Sequence, residues 1–317
     1  MKLKNVFLLN TKSVSYAFGI DDQGMVRHIY WGKKVDSVED FEMPLLTEVS
    51  TNDPVYEITR EEFPVYGSLR YKEHCLKAEF SDGTREVVYQ YIGYDTASFE
   101  NYDELKIKLK DKKYDFFIEL VYRVYTDYDL MERFAVLENK MNESINVEKI
   151  HSAQFHIPYE NLNFSNVHGH WGAEQQMFIQ KVSYGKIVFE NRRGISTHNH
   201  NPYFILDRNA DQTSGDVYFG ALRRSGNFSG VVEQTPYGET LVQIGLNSYD
   251  FMYELKSGEK FETPAVICGY SSEGFEIMSH NLHRFAGEFI MNTDIRPVLY
   301  NSWEAMEFNV NCKEQMM

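Results

Sequence analysis

Short runs of alternating apolar and polar residues recur along most of the chain, and turn residues separate them. Tyr114–Thr126 alternates over a long run, and Leu130–Asn139 follows it after a short break. Side chains two positions apart share one face of a strand, so this alternation is typical of strands with one buried face. Sequences such as Asp21–Gly24 and Ser81–Gly83 supply the turns. The pattern predicts an all-β fold, a large antiparallel sandwich of many strands.

The strand pattern covers both halves of the chain. The predicted strands are Val14–Ile20, Met25–Trp31, Cys75–Phe80, Arg85–Tyr94, Leu105–Leu109, Tyr114–Thr126, Leu130–Asn139, Asn146–Phe155, Lys186–Glu190, Tyr203–Asp207, Asp216–Leu222, Gly226–Gln234, Leu241–Gly245 and Phe261–Tyr270. Two stretches depart from it. Val35–Pro64 is charged and has little periodicity, which predicts a long loop of the kind that is functional or mobile. Ser272–Met291 has apolar residues every three or four positions, which predicts an amphipathic helix.

A different pattern begins after Asp294. Pro297 suits the first residue of a strand, and Val298–Tyr300 is a short apolar run typical of a buried parallel strand. Asn301 and the pair Trp303-Glu304 follow, where a strand of a (β/α) barrel opens into its active-site face. A whole barrel needs about 250 residues. We therefore predict an orphan first barrel strand, because too few residues follow it to complete a barrel.

Composition and charge narrow the classes of partner. The chain has 317 residues with a formal net charge of −15, which disfavours nucleic acid and anionic membranes as partners. Cys75, Cys268 and Cys312 lie far apart, which favours a reducing compartment over a disulfide framework. No apolar run approaches the ~20 residues of a membrane span. We expect a soluble, cytoplasmic protein.

Two His-x-His pairs are the most conspicuous candidates for a metal site. His168 and His170 form one pair, and His198 and His200 form the other. Imidazole suits Zn²⁺, but no cysteine or closely spaced carboxylate completes a set of ligands. The alternative is that these histidines fix loops by hydrogen bonding. We predict no metal, and the lack of a P-loop or a Rossmann fingerprint predicts no cofactor.

Several segments resemble glycoside hydrolase family 36, the bacterial α-galactosidases. Arg296–Ala305 is similar to the opening barrel strand of that family, Glu62–Gly67 matches a family sequence, and Arg192–Pro202 resembles its Ser-Arg-Arg-Gly-x-Ser-Ser-His-x-x-Asn-Pro stretch. The resemblance runs from about Phe18 to Phe308. Two departures stand out: Gly172–Gln175 lacks both arginines of the family pattern, and Phe41–Glu48 lacks its Arg-x-Asp.

The resemblance implies a fold and a division of the chain. In that family a large N-terminal β-supersandwich precedes the catalytic barrel. We therefore expect a β-supersandwich domain at residues 1–272, a linker helix at 273–294 and the start of a truncated (β/α)8 barrel at 295–317.

The resemblance also implies site residues. The family's counterpart of Trp303 lines the galactose pocket, and an indole offers a flat apolar surface to sugar C–H groups; packing between the two domains explains this tryptophan equally well. Asn301, Glu304, His198 and Asn201 are weaker candidates for substrate binding. A retaining glycosidase needs two carboxyl groups about 5–5.5 Å apart. The family supplies both from later barrel strands, so we name no catalytic residue and expect this chain to be inactive alone.

In homotetrameric members of the family, loops of the N-terminal domain reach the active site of a neighbouring subunit. Val35–Pro64 is the candidate for this role, and Asp40, Glu42 or Asp53 could supply the acidic contact. The resemblance also implies that a homo-oligomer is possible. The resemblance therefore implies a non-catalytic N-terminal domain that helps to assemble and shape the active site of an α-galactosidase. The complete enzyme would hydrolyse terminal α-galactosides of raffinose-type oligosaccharides. The alternatives are a stand-alone carbohydrate-binding or assembly module, and an inactive relic of an interrupted gene.

Overall fold

The structure, a computed structural model, describes residues 3–37, 52, 59–67, 70–291 and 294–316. It divides into two compact units, Met1–Leu282 and His283–Met317. Antiparallel strands are the main regular structure of the first unit, which confirms the predicted all-β fold. Most of the predicted loop Val35–Pro64, with its acidic residues Asp40, Glu42 and Asp53, lies outside the described residues.

Strands dominate the described residues. They are β1 Asn5–Asn10, β2 Val14–Ile20, β3 Val26–Lys33, β4 Leu76–Glu79, β5 Tyr89–Ser98, β6 Asp103–Asp111, β7 Phe116–Tyr125, β8 Leu130–Asn139, β9 Ile145–Ile157, β10 Asn163–His170, β11 Ala173–Lys181, β12 Gly185–Asn191, β13 Tyr203–Asp207, β14 Val217–Leu222, β15 Phe228–Gln234, β16 Thr240–Leu246, β17 Tyr253–Leu255, β18 Lys260–Glu262 and β19 Val266–Ser271. The helices are α1 Gly274–Phe289, α2 Trp303–Met306 and α3 Cys312–Gln315, and Thr126–Tyr128 forms a 3₁₀ turn. The long helix α1 lies where the apolar spacing predicted it.

The strands form three sheets. A three-stranded sheet has the order β1-β2-β3. A ten-stranded sheet has the order β11-β10-β13-β14-β19-β8-β7-β6-β5, with β18 also paired to β8. A six-stranded sheet has the order β12-β15-β16-β9-β17, with β4 also paired to β9. Every pairing between these strands is antiparallel, both in hairpins such as β7-β8 and between strands distant in the sequence such as β16 and β9.

Aromatic side chains join the three sheets into one core. Phe18 on β2 stacks on Tyr122 on β7, with ring centroids 4.7 Å apart. Trp31 on β3 packs on Phe155 on β9 at 5.1 Å. All four side chains are buried. Burying such a side chain stabilises the fold by about 1.5–3 kcal/mol, so these contacts hold the small sheet against the two large ones.

The structure corrects several details of the predicted strands. Four strands were not predicted: β1, β10, β11 and β17. The single strand predicted at Phe261–Tyr270 is two strands, β18 and β19, separated by Pro264, which has no N–H to donate to the sheet.

The orphan barrel strand predicted at Val298–Tyr300 is not formed. Residues 295–300 have no regular secondary structure, and the Val298 and Leu299 side chains are 102% and 87% exposed. A strand is stable only when a neighbour takes up its backbone N–H and C=O groups. The apolar run alone therefore does not produce a strand here.

Candidate functional site

A cleft of about 370 Å³ opens in the first unit where β3 approaches β14, β19 and the end of β9. Because tyrosines dominate its walls, we call it the tyrosine cleft. The residues that matter for its chemistry are Tyr30, Trp31, Lys33, Tyr159, Asp216 and Tyr270. That these residues converge was not predicted from the sequence.

The edge of β3 positions one side of the tyrosine cleft. Near its start, the His28 N–H donates to the Arg60 carbonyl at 2.8 Å, and the Glu62 N–H donates to the Val26 carbonyl at 3.0 Å. From His28 onwards the residues of β3 line the cleft, and Tyr30 is fixed there by its hydroxyl, which donates to the Lys33 carbonyl at 2.8 Å. The strand therefore presents its backbone and the Tyr30 ring to the cleft.

Aromatic rings form the floor. Tyr218 on β14 contacts the Trp31 ring edge-on at 5.1 Å and the Tyr270 ring at 4.9 Å. These three residues are buried, whereas Tyr30 and Tyr159 at the rim are partly exposed. Burial raises the pKa of the Tyr270 hydroxyl, and so does its hydrogen bond to Asp216. The Tyr270 hydroxyl is therefore neutral at physiological pH.

Polar groups at the cleft are incompletely paired. The Tyr270 hydroxyl donates to Asp216 Oδ1. No hydrogen bond from a described residue reaches Asp216 Oδ2, the Tyr159 hydroxyl or Lys33 Nζ. With respect to the described residues, the Asp216 oxygen can therefore still accept a hydrogen bond, the Tyr159 hydroxyl can donate or accept one, and the Lys33 ammonium can donate.

A cluster of buried charges lies behind the cleft, and we call it the buried ion cluster. Arg133 Nη2 lies 2.7 Å from Glu62 Oε1, and the Tyr16 and Tyr122 hydroxyls donate to the same oxygen at 2.6 and 3.0 Å. Burial raises the pKa of Glu62, but the charge of Arg133 and a hydrogen bond from His28 outweigh it and hold the pKa at about 2. The cluster therefore contains a carboxylate, and not a neutral acid, at every ordinary pH.

Histidine 28 connects the cleft to this cluster. Its Nδ1 lies 3.2 Å from the Tyr16 hydroxyl and 3.4 Å from Glu62 Oε2. Burial lowers the pKa of His28 to about 4, against the attraction of Glu62. His28 is therefore neutral at pH 7 and serves the cluster through hydrogen bonding.

The segment before Pro64 is held residue by residue. Arg27 donates to Thr59 Oγ1 at 2.8 Å, and Arg60 Nε lies 2.5 Å from Glu239. Glu61 pairs with Arg70 at 2.9 Å, Glu62 belongs to the buried ion cluster, and the Phe63 carbonyl accepts from the Tyr89 hydroxyl at 2.7 Å. Residues 59–63 are thus fixed by partners from several strands. Sequence reasoning singled out Glu62–Gly67 only for its family resemblance and missed Arg133.

The structure brings the two predicted histidine motifs together. The His168 and His200 rings lie 6.3 Å apart, and the Asn201 N–H donates to the Val167 carbonyl at 3.2 Å. Asn201 and Val167 thereby tie the loop to β10. No group of three or more His, Cys, Asp or Glu residues suited to a metal ion occurs in the described part of the chain. The choice between a metal site and loop-fixing histidines stays a prediction.

The other predicted site residues lie in the second unit. Trp303 begins α2, is 48% exposed, and contacts Phe308 edge-on at 4.9 Å. Asn301 Oδ1 accepts the Trp303 N–H at 2.9 Å, so Asn301 satisfies neighbouring backbone. Glu304 is exposed. Their assignment to substrate binding stays a prediction.

Among the described helices, none has the length and apolar character needed to cross a membrane.

Sequence comparison identifies relatives along most of the chain. The model of the glycosyl hydrolase family 36 N-terminal domain matches residues 24–256. Alpha-galactosidase AgaA of Geobacillus stearothermophilus is 28% identical over 334 residues, which cover 96% of this chain and 46% of that protein. Alpha-galactosidase Mel36A of Lactobacillus acidophilus is 28% identical over 335 residues, with the same coverage of 96% and 46%. The chain thus spans about half the length of the curated relatives it matches.

Solved structures give the same result for the fold. The crystal structure of AgaA superimposes with a TM-score of 0.91 at 26% identity, covering 97% of this chain and 47% of that chain. A variant of AgaA in complex with stachyose gives a TM-score of 0.90 at 26% identity, covering 98% and 47%. The sandwich described above is therefore the fold of the front part of these enzymes.

Proposed function

Because the chain belongs to the glycosyl hydrolase family 36 N-terminal domain family, we propose that it is the non-catalytic N-terminal part of an α-galactosidase. The complete protein would hydrolyse terminal α-galactosides of raffinose-type oligosaccharides in the cytoplasm. One observation carries the proposal: the superposition on AgaA extends over 97% of this chain with a TM-score of 0.91. Variants of AgaA have been crystallised with stachyose and with raffinose, which supports the choice of substrate class.

The proposed role of this chain is to assemble and shape the active site. On this proposal residues 1–272 form the β-domain, 273–294 the linker helix and 295–317 the start of the catalytic barrel. The tight anchoring of residues 59–63 supports such a role, because it fixes one end of the segment that the resemblance implicates in a neighbouring active site. Trp303 is proposed to contact galactose, and its partly exposed indole offers a surface for this.

A graft tests the proposal directly. Residues 1–317 would be joined to the part of Geobacillus AgaA that follows its matched region, and hydrolysis of a chromogenic α-galactoside and of raffinose would be measured. We expect turnover by the graft, and none by this chain alone or by the AgaA part alone. Trp303→Ala in the graft should raise KM, whereas the matched aromatic change Phe308→Ala should raise it less.

Two outcomes would contradict the proposal. One is enzyme-like turnover that copurifies with this chain alone, because the proposed catalytic carboxylates belong to the barrel. The other is a graft that folds cooperatively, as judged by circular dichroism, and has no turnover on any α-galactoside.

A further inference from the structure

We propose that the tyrosine cleft binds a neutral sugar unit, either a free hexose or the end of an oligosaccharide. The inference rests on the lining residues of this chain and does not depend on which reaction the whole protein catalyses. A cleft of about 370 Å³ lies in the lower part of the roughly 300–1,000 Å³ range of small-molecule sites, which suits one or two sugar rings.

The walls offer the apolar surface that a sugar ring needs. A pyranose has C–H groups on its faces, and aromatic rings present large flat apolar surfaces to them. Trp31, Tyr218 and Tyr270 are themselves buried and form an aromatic backing to the cleft, with ring centroids 5.1 and 4.9 Å apart. Tyr30 and Tyr159 stand at the rim and are partly exposed, so their rings are accessible to a ligand.

The polar groups match the hydroxyls of a sugar. Asp216 Oδ2 has no hydrogen bond from a described residue, while its Oδ1 is held by the Tyr270 hydroxyl, so the carboxylate is oriented and still able to accept. Hydrogen bonds to a carboxylate are among the stronger ones. The Tyr159 hydroxyl and Lys33 Nζ add further donors along the same cleft. Sugar hydroxyls both donate and accept, and they can pair with all three groups.

The charges of the cleft favour a neutral ligand. Asp216 disfavours an anion and Lys33 disfavours a cation, and the charge of Arg60 is compensated by Glu239 at 2.5 Å. The part of the lining formed by His28 and Arg60 is also fixed before a ligand arrives, because these two residues are tied to the buried ion cluster and to Glu239. A preformed site loses less entropy on binding than one that must be ordered.

Tryptophan fluorescence provides the test. The chain has three tryptophans, and Trp31 is the one among the lining residues of the cleft. In a Trp171→Phe/Trp303→Phe background, Trp31 alone would report binding, and calorimetry would measure affinity independently. The full chain would be titrated with galactose, glucose and raffinose to separate a free hexose from an oligosaccharide end, and with galacturonate and glucosamine as charged analogues.

Three variants sharpen the test. We expect Asp216→Ala to weaken binding by about tenfold, since it removes a hydrogen bond to a charged group, with Asp216→Asn as a substitute if the alanine variant does not fold. Tyr159→Phe removes only a hydroxyl and should weaken binding less. Tyr94→Phe, the same change on the exposed surface of β5, should leave binding unchanged.

A saturable Trp31 signal with a neutral sugar, weakened in the folded Asp216 variant, supports the proposal. It is overturned by a folded chain that gives no saturable response to any neutral sugar. It is also overturned if the Asp216 and Tyr159 variants bind the sugar as tightly as the unchanged chain does. Tighter binding of a charged analogue than of a neutral sugar would overturn it too. If the chain binds sugar but its AgaA graft has no turnover, the sugar-binding proposal stands and the α-galactosidase role is rejected. If the graft has turnover but the chain binds no sugar, the α-galactosidase role stands and the sugar-binding proposal is rejected.

Discussion

At the scale of single residues, the dominant feature is the number of charges held out of water. Glu62 and Arg133 are both buried and form an ion pair. They lie far apart in the sequence: Glu62 is in the irregular segment before Pro64, and Arg133 is on β8. The alternating pattern of Leu130–Asn139 predicted the strand, but an inward-facing arginine cannot be matched to its partner from one sequence. A buried pair of this kind is destabilising to break, since removing one partner leaves an uncompensated charge.

The pair can be tested by a double-mutant cycle. Glu62→Gln and Arg133→Met should each lower the free energy of unfolding by about 3–5 kcal/mol. The double variant should lose less than the sum of the two, because neither charge is then left alone. Urea unfolding followed by tryptophan fluorescence measures all four proteins. Additive losses would show that the two side chains do not act as a pair.

Stability should also depend on pH in a defined window. Burial lowers the pKa of His28 to about 4 and that of His151 to about 3, from an ordinary value of 6.5. Between pH 6.5 and 4 the unfolded chain therefore binds protons that the folded chain refuses, and the free energy of unfolding falls as the pH falls. Urea titrations across this range should show the loss, and His28→Gln should reduce it. The exposed His280→Gln is the control; an equal effect there would contradict the assignment.

At the scale of elements, strand periodicity predicted most of the sandwich. Leu130–Asn139 and Tyr203–Asp207 were predicted with the bounds observed for β8 and β13. The hairpin of β10 and β11 was missed, because its glycines and histidines interrupt any alternation and β11 is exposed on both faces. The tyrosine cleft was missed for a different reason: it depends on which strands become neighbours, and periodicity carries no such information.

Close strand packing makes a matched pair of glycine substitutions informative. Gly245 lies at a bulge between β16 and β9, where an added Cβ would clash with the His151 backbone. We expect Gly245→Ala to cost about 1–3 kcal/mol. Gly287 in α1 has nothing within 4 Å of its would-be Cβ, so Gly287→Ala should stabilise α1 by up to about 1 kcal/mol. Thermal unfolding compares them, and a tolerated Gly245→Ala would mean that β16 and β9 are not held this closely.

At the scale of the whole molecule, the two units differ in how they treat apolar side chains. The first buries an extensive aromatic core, whereas Ile295, Val298 and Leu299 in the second are largely exposed. Two copies of this acidic chain, with a net charge of −15, repel each other over most of their surface. We therefore expect self-association to occur through the exposed apolar groups. The apolar run predicts a strand, but a strand needs neighbours to pair with, and no strand forms at residues 295–300.

Deleting Arg296–Met317 tests this difference. We expect the shortened chain to unfold as cooperatively as the full one and to associate less, as measured by thermal unfolding and sedimentation velocity. Val298→Ser/Leu299→Ser in the full chain should reduce association in the same direction without shortening it. Loss of cooperative unfolding on deletion would place the tail in the core and would move the proposed boundary near Asp294.

The buried ion cluster also bears on how long a folded molecule lasts. Its members come from the irregular segment at Glu62, from the small sheet at Tyr16 and His28, and from β7 and β8. We expect contacts between such distant parts of the chain to form late in folding, after the sheets have met. Interactions absent from the folding transition state slow unfolding and leave folding almost unaffected. Glu62→Gln should therefore raise the unfolding rate measured by stopped flow, while the refolding rate stays nearly the same. The cluster would then act mainly on the lifetime of the native state.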